Sequence, residues 1–128
     1  SVIIDLISTL LYESDEKIAW AQEALDLKQY ADSIYHSYTS FINTAKAMLL
    51  TVDVRPSTQI QVITDFQTRF VEQGLILPGV NFKEYLFRIN KHEPTEAFAT
   101  TFLADAIRFI EEVHAYRSKT SEPVTVDK

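Results

Sequence analysis

Cysteine is absent from this chain, and glycine and proline are scarce, with two and four residues among 128. Without cysteine the chain forms neither a disulfide nor a thiolate metal site, and this favours a cytoplasmic location. Strands joined by tight turns need more glycine and proline, so the composition predicts a helical protein. No apolar run reaches the roughly 20 residues that cross a bilayer, so we expect no membrane association.

Acidic residues outnumber basic ones, and the net charge of the chain is −6. An acidic domain has no general attraction for nucleic acid, so nucleic acid or nucleotide binding is an alternative rather than the favoured function. The sequence contains no Gly-rich phosphate loop and no standard hydrolase or metalloprotease motif. We therefore predict no cofactor and no metal site.

Apolar residues recur at helical spacing along most of the chain. The pattern is strongest from Lys28 to Val52, which we interpret as the central helix, and shorter helical patterns cover 1–12, 14–27, 58–73, 82–91 and 94–118. The sequence thus predicts an all-α, antiparallel up-and-down bundle of about five helices over residues 1–118. Residues 119–128 lack periodicity and are predicted to form a disordered tail or linker.

Three finer predictions follow from the same patterns. Ser14, followed by two acidic residues, is expected to cap a second helix. Phe102 is expected in the core. The apolar segments 1–12 and 74–80 are expected to self-associate or to dock on a partner, which would cover Leu6, Leu10, Leu75 and Leu77. For the loop residues, folding back on the bundle is the alternative. The start at Ser rather than Met favours either processing or a domain of a longer polypeptide.

Three segments resemble the HEPN family of helical bundles: QYADSIYHSYTSFINTAKAMLL, FQTRFVEQGLI and YLFRINKHEPTEAFATTFLADAIRFIEEV. Their order and spacing along the chain are also similar to the family pattern. The resemblance implies an antiparallel bundle that is often dimeric. It also implies one of several functions: RNA cleavage, nucleotide binding, partnership with a nucleotidyltransferase, or an inert appendix to another enzyme. The chain further resembles the C-terminal appendages of some bacterial nitrite and sulfite reductases.

Catalytic HEPN proteins resemble one another in an Arg followed, after a short interval, by a His. Arg88 and His92 stand at the matching place but are separated by three residues, fewer than in the catalytic pattern. On a helix such a pair still shares a face, and it suits RNA cleavage, with His as acid or base and Arg on the phosphate. Lys83 and Lys91 add positive charge nearby. The alternative is a solvated helix end, where Lys91 and His92 complement the helix dipole.

Other candidate residues are weaker. Arg108 and His114 have the catalytic spacing but lie on the closing helix, where Arg108 is expected to pair with Glu111 or Glu112. Tyr35 and His36 on the central helix are candidate binding residues, although side chains at such positions more often pack between helices. Asp32 and His36 share a face but are too few to hold a metal.

The sequence therefore favours a non-catalytic HEPN-like interaction module, either a homodimer or docked on a larger polypeptide. The alternatives are a metal-independent ribonuclease using Arg88 and His92 across a dimer, a nucleotide-binding domain, or a reductase appendage.

Overall fold

The computed structural model describes residues 1–120, and these form an all-α helical bundle, as predicted. No strand occurs within residues 1–120. A π-helical turn, Gln67–Val71, continues the third helix, and a 3-10 turn, Phe87–Asn90, continues the fourth. The helices are α1 (Val2–Asp26), α2 (Tyr30–Thr51), α3 (Gln59–Phe66), α4 (Phe82–Leu86) and α5 (Glu96–Thr120).

The last helix reaches two residues into the predicted tail, since Lys119 and Thr120 belong to α5. The rest of that tail, residues 121–128, lies outside the described residues. In the described part, no helix combines the length and the hydrophobicity needed to cross a membrane.

The predicted break near Ser14 is wrong, because α1 runs unbroken from Val2 to Asp26. Ser14 is buried in the middle of the helix, and its hydroxyl hydrogen-bonds across to α2. Its partners there are the Ser40 carbonyl at 3.0 Å, the Ser40 hydroxyl at 2.7 Å and the Thr44 hydroxyl. The physical reason is that a serine hydroxyl suits either a cap or a tertiary hydrogen bond, and here α2 supplies the partner.

Helix α2 is central, as predicted, since it packs against α1, α3 and α5. Its side toward α1 carries small residues, and the Ser33 hydroxyl donates to the Ala21 carbonyl at 2.8 Å. Its other side enters an aromatic core. There the Phe41 ring lies 5.3 Å from Phe102 and 5.2 Å from Phe109, measured between ring centroids. Phe102 is fully buried, which confirms its predicted place.

The loop before α4 folds back on the bundle. Ile76 is fully buried and Leu77 packs against the core, whereas Leu75 remains 46% exposed. Leu77 adopts a φ of +48°, a left-handed conformation that is unusual for a branched side chain. Its N–H donates to Glu112 Oε2 on α5 at 2.8 Å, and this bond holds the turn against the helix.

Candidate functional site

Arg88 lies in the 3-10 turn after α4, with its guanidinium packed on the protein itself. The guanidinium carbon is 4.3 Å from the centroid of the Tyr85 ring and 5.5 Å from that of Phe98. Arg88 Nε donates to the Tyr85 carbonyl at 3.2 Å. Arg88 Nη2 lies 4.0 Å from Asp105 Oδ2, and within residues 1–120 this buried nitrogen has no hydrogen-bond partner. The side chain is thus held mainly by stacking and charge.

Asp105 is the residue that the sequence analysis missed. Its carboxylate accepts a hydrogen bond from the Tyr85 hydroxyl and pairs with Arg108 one turn along α5. Burial, together with the hydrogen bond to Asp105, raises the pKa of Tyr85 far above its usual value, so this phenol stays protonated. The spacing to Arg108 is the local signal for Asp105, whereas the contacts with Tyr85 and Arg88 come from α4 and the turn after it, and no local pattern marks them.

The predicted pairing of Arg108 is wrong. Arg108 pairs with Asp105, not with Glu111 or Glu112. Residues three apart on a helix are neighbours, so Asp105 lies within easy reach. His114, the other half of the alternative motif, is exposed further along α5.

His92 lies beyond the helical turn that carries Arg88. The turn ends at Asn90, and His92 is exposed in the segment leading to α5, with its ring centroid 5.3 Å from that of Phe98. Arg88 and His92 therefore both contact Phe98, although no direct contact between them is recorded in the described residues. Because the helix stops between them, the shared helical face expected from their spacing does not form.

Tyr35 and His92 come together across the bundle. They line one surface pocket of about 240 Å³, together with Asn90 and Phe98. Tyr35 comes from α2 and His92 from the segment before α5, so the fold joins a predicted binding residue to a predicted catalytic one.

His36 lies beside this pocket rather than in it. Its ring centroid is 5.7 Å from that of Trp20 and 6.0 Å from that of Tyr35. Its Nδ1 is buried and has no hydrogen-bond partner among the described residues. Burial, followed by the charge of Lys17, lowers the pKa of His36 against an opposing effect of Asp32. Residues 1–120 contain no group of three acidic or histidine side chains that could hold a metal.

The two predicted lysines differ in their surroundings. Lys83 Nζ lies 5.7 Å from the centroid of the Phe87 ring, which is not a ring that Arg88 contacts. Lys91 is exposed just after the 3-10 turn. That position is the one expected of a solvated helix end.

Comparison with known proteins finds a relative but no family. No family model and no solved structure matches the chain. A protein of Methanocaldococcus jannaschii named "Putative toxin MJ0605" is 27% identical over 114 residues, which are 84% of this chain and 85% of that protein. The chain is therefore similar to this protein over most of the length of each. The HEPN-like assignment rests on the sequence resemblance.

Proposed function

We propose that this chain is a HEPN-like, toxin-related helical bundle that acts by association and not by catalysis. The observation that supports this most is the packing of Arg88. Its guanidinium is occupied by Tyr85, Phe98 and the carboxylate of Asp105. A catalytic arginine must instead reach the phosphate together with the acid or base. Here the helical turn that carries Arg88 ends at Asn90, before the chain reaches His92.

Exposed apolar side chains support association through the start of α1. Val2 is 81% exposed, and Leu6, four residues later and therefore on the same face of α1, is 42% exposed. Leu10, which was predicted to need cover from a partner, is already buried against α2. The proposed contact is therefore smaller than the predicted edge and is centred on Val2 and Leu6, which share one face of α1.

Sedimentation equilibrium of the full chain tests association directly. We expect a dimer whose dissociation constant rises at least about tenfold in Leu6→Glu, since a charge is then buried in an apolar contact. Thr101→Glu adds the same charge at an exposed position on α5 and is expected to leave the dimer intact. A wild-type monomer at all concentrations would contradict self-association.

A second candidate function is RNA cleavage by a toxin-like enzyme. It is favoured by the contact of both Arg88 and His92 with Phe98, and by the toxin name of the relative. A cleavage assay on mixed RNA compares wild type with Arg88→Ala and His92→Ala. We expect no cleavage above background from any of the three, because acid–base catalysis is worth roughly 10²–10⁴ in rate only when the groups are placed together. Cleavage by wild type that is lost in both variants would establish the enzyme.

A further inference from the structure

A cavity of about 270 Å³ lies between the loop before α4 and helices α2 and α5. Its walls are the rings of Phe41, Tyr85 and Phe109, with Leu77 and Val80 contributed by the loop. A dry apolar cavity of roughly 150 Å³ is enough to hold benzene. This cavity therefore has room for an aromatic ring with a short side arm.

The charged side chains that line the cavity differ in whether they have a partner of opposite charge. Asp105 is paired with Arg108, lies 4.0 Å from Arg88 and accepts from the Tyr85 hydroxyl. Glu112, also on the wall, has no ion-pair partner among the described residues. Its one recorded hydrogen bond comes from the Leu77 N–H to Oε2.

The half-buried Glu112 carboxylate accepts from the Leu77 N–H at Oε2, whereas Oε1 has neither a hydrogen bond nor an ion pair among the described residues and is free to meet a cation. Asp105 already has Arg108 and, at 4.0 Å, Arg88 beside it, so Glu112 is the lining carboxylate that has no cation next to it among the described residues. Aromatic walls add to the attraction for a cation. An apolar cavity with a few converging polar groups is the general form of a small-molecule site.

We propose that this cavity binds a small hydrophobic amine. The ammonium group donates to Glu112, and the hydrocarbon body packs against Phe41 and Phe109. A primary alkylamine has a pKa close to that of lysine, about 10.4, so it is charged at neutral pH. This site shares Tyr85 and Asp105 with the surroundings of Arg88, but the proposal does not depend on whether the chain cleaves RNA or associates.

Isothermal titration calorimetry of the full chain with 2-phenylethylamine tests the proposal. We expect saturable binding of one molecule per chain, with a dissociation constant below about 1 mM. Two probes of similar shape, 2-phenylethanol without the charge and 3-phenylpropionate with the opposite charge, are expected to bind at least about tenfold more weakly. Absence of saturation up to about 10 mM amine, or equal binding of the alcohol, would overturn the proposal.

Variants place the amine within the cavity. Glu112→Gln keeps an oxygen to accept the Leu77 N–H but removes the charge, so the amine should bind roughly tenfold more weakly. Glu111→Gln is the matched control, since Glu111 is the exposed neighbour on the same helix. Val80→Trp fills the cavity from the loop and should abolish binding while leaving Glu112 in place. Equal losses in the two glutamine variants, or full binding in Val80→Trp, would contradict the assignment.

Discussion

The two sides of α2 are built from different kinds of residue. Toward α1 it presents Ser33, Ser40 and Thr44, whose hydroxyls meet backbone and side-chain oxygens of α1. On its other side Phe41 packs among rings of α4 and α5. The aromatic side stabilises the bundle by burying a large apolar surface, and this contribution depends little on the orientation of each side chain. The small polar side fixes the distance and the register between α1 and α2, because a hydroxyl forms a hydrogen bond only with a partner at the right distance and angle.

Phe102→Ala tests the aromatic side and should have the largest effect. The side chain is fully buried against Phe41 and Phe98, so its loss leaves a cavity and should cost about 3–5 kcal/mol of unfolding free energy. Urea denaturation measures this. Ile107→Ala, on the same helix but 37% exposed, should cost about 1 kcal/mol or less. A loss below about 1 kcal/mol for Phe102→Ala would mean that this core is loosely packed.

Ser14→Ala tests the polar side and should cost less. The substitution removes the hydroxyl that meets Ser40 and Thr44, and it leaves a buried Thr44 oxygen without this partner, at about 1–2 kcal/mol. Ser8→Ala, at an exposed position of the same helix, should change the unfolding free energy by less than about 0.5 kcal/mol. Equal effects of the two substitutions, again by urea denaturation, would show that the Ser14 hydrogen bonds contribute nothing net.

The same contrast explains what could be predicted from the sequence. The aromatic side repeats every three to four residues, so Phe102 was correctly placed by periodicity alone. The role of Ser14 depends on Ser40 and Thr44, 26 and 30 residues away, and serine chemistry fits a cap equally well. Spacing put Arg88 and His92 near one another, but the end of the helix at Asn90 decided their geometry.

The cavity beside Glu112 was also beyond sequence reasoning. It depends on the loop turning at Leu77 through a positive φ, which a leucine does not signal. The Glu112 carboxylate accepts a hydrogen bond from the Leu77 N–H of that loop, and the two residues are 35 positions apart in the sequence. Folding back on the bundle was one of the two alternatives for the apolar residues 74–80, and Ile76 follows it because it is fully buried.

The smallest predicted effect on stability concerns His36, which is half-buried beside Trp20 of α1. Because burial lowers its pKa from the usual 6.5, the unfolded chain binds a proton more readily than the folded one. The free energy of unfolding is therefore highest above about pH 6.5, where His36 is neutral in both states. It decreases as the pH falls below 6.5, because the unfolded chain then takes up a proton first, and it levels off below the pKa of His36 in the folded chain.

The charged groups around His36 are Lys17, which adds to this loss, and Asp32, which opposes it. Thermal melts from about pH 8 to pH 5 should show a shallower decline for His36→Gln than for wild type. An unchanged slope in His36→Gln would place the pH dependence elsewhere, and a steeper slope would mean that Asp32 outweighs burial.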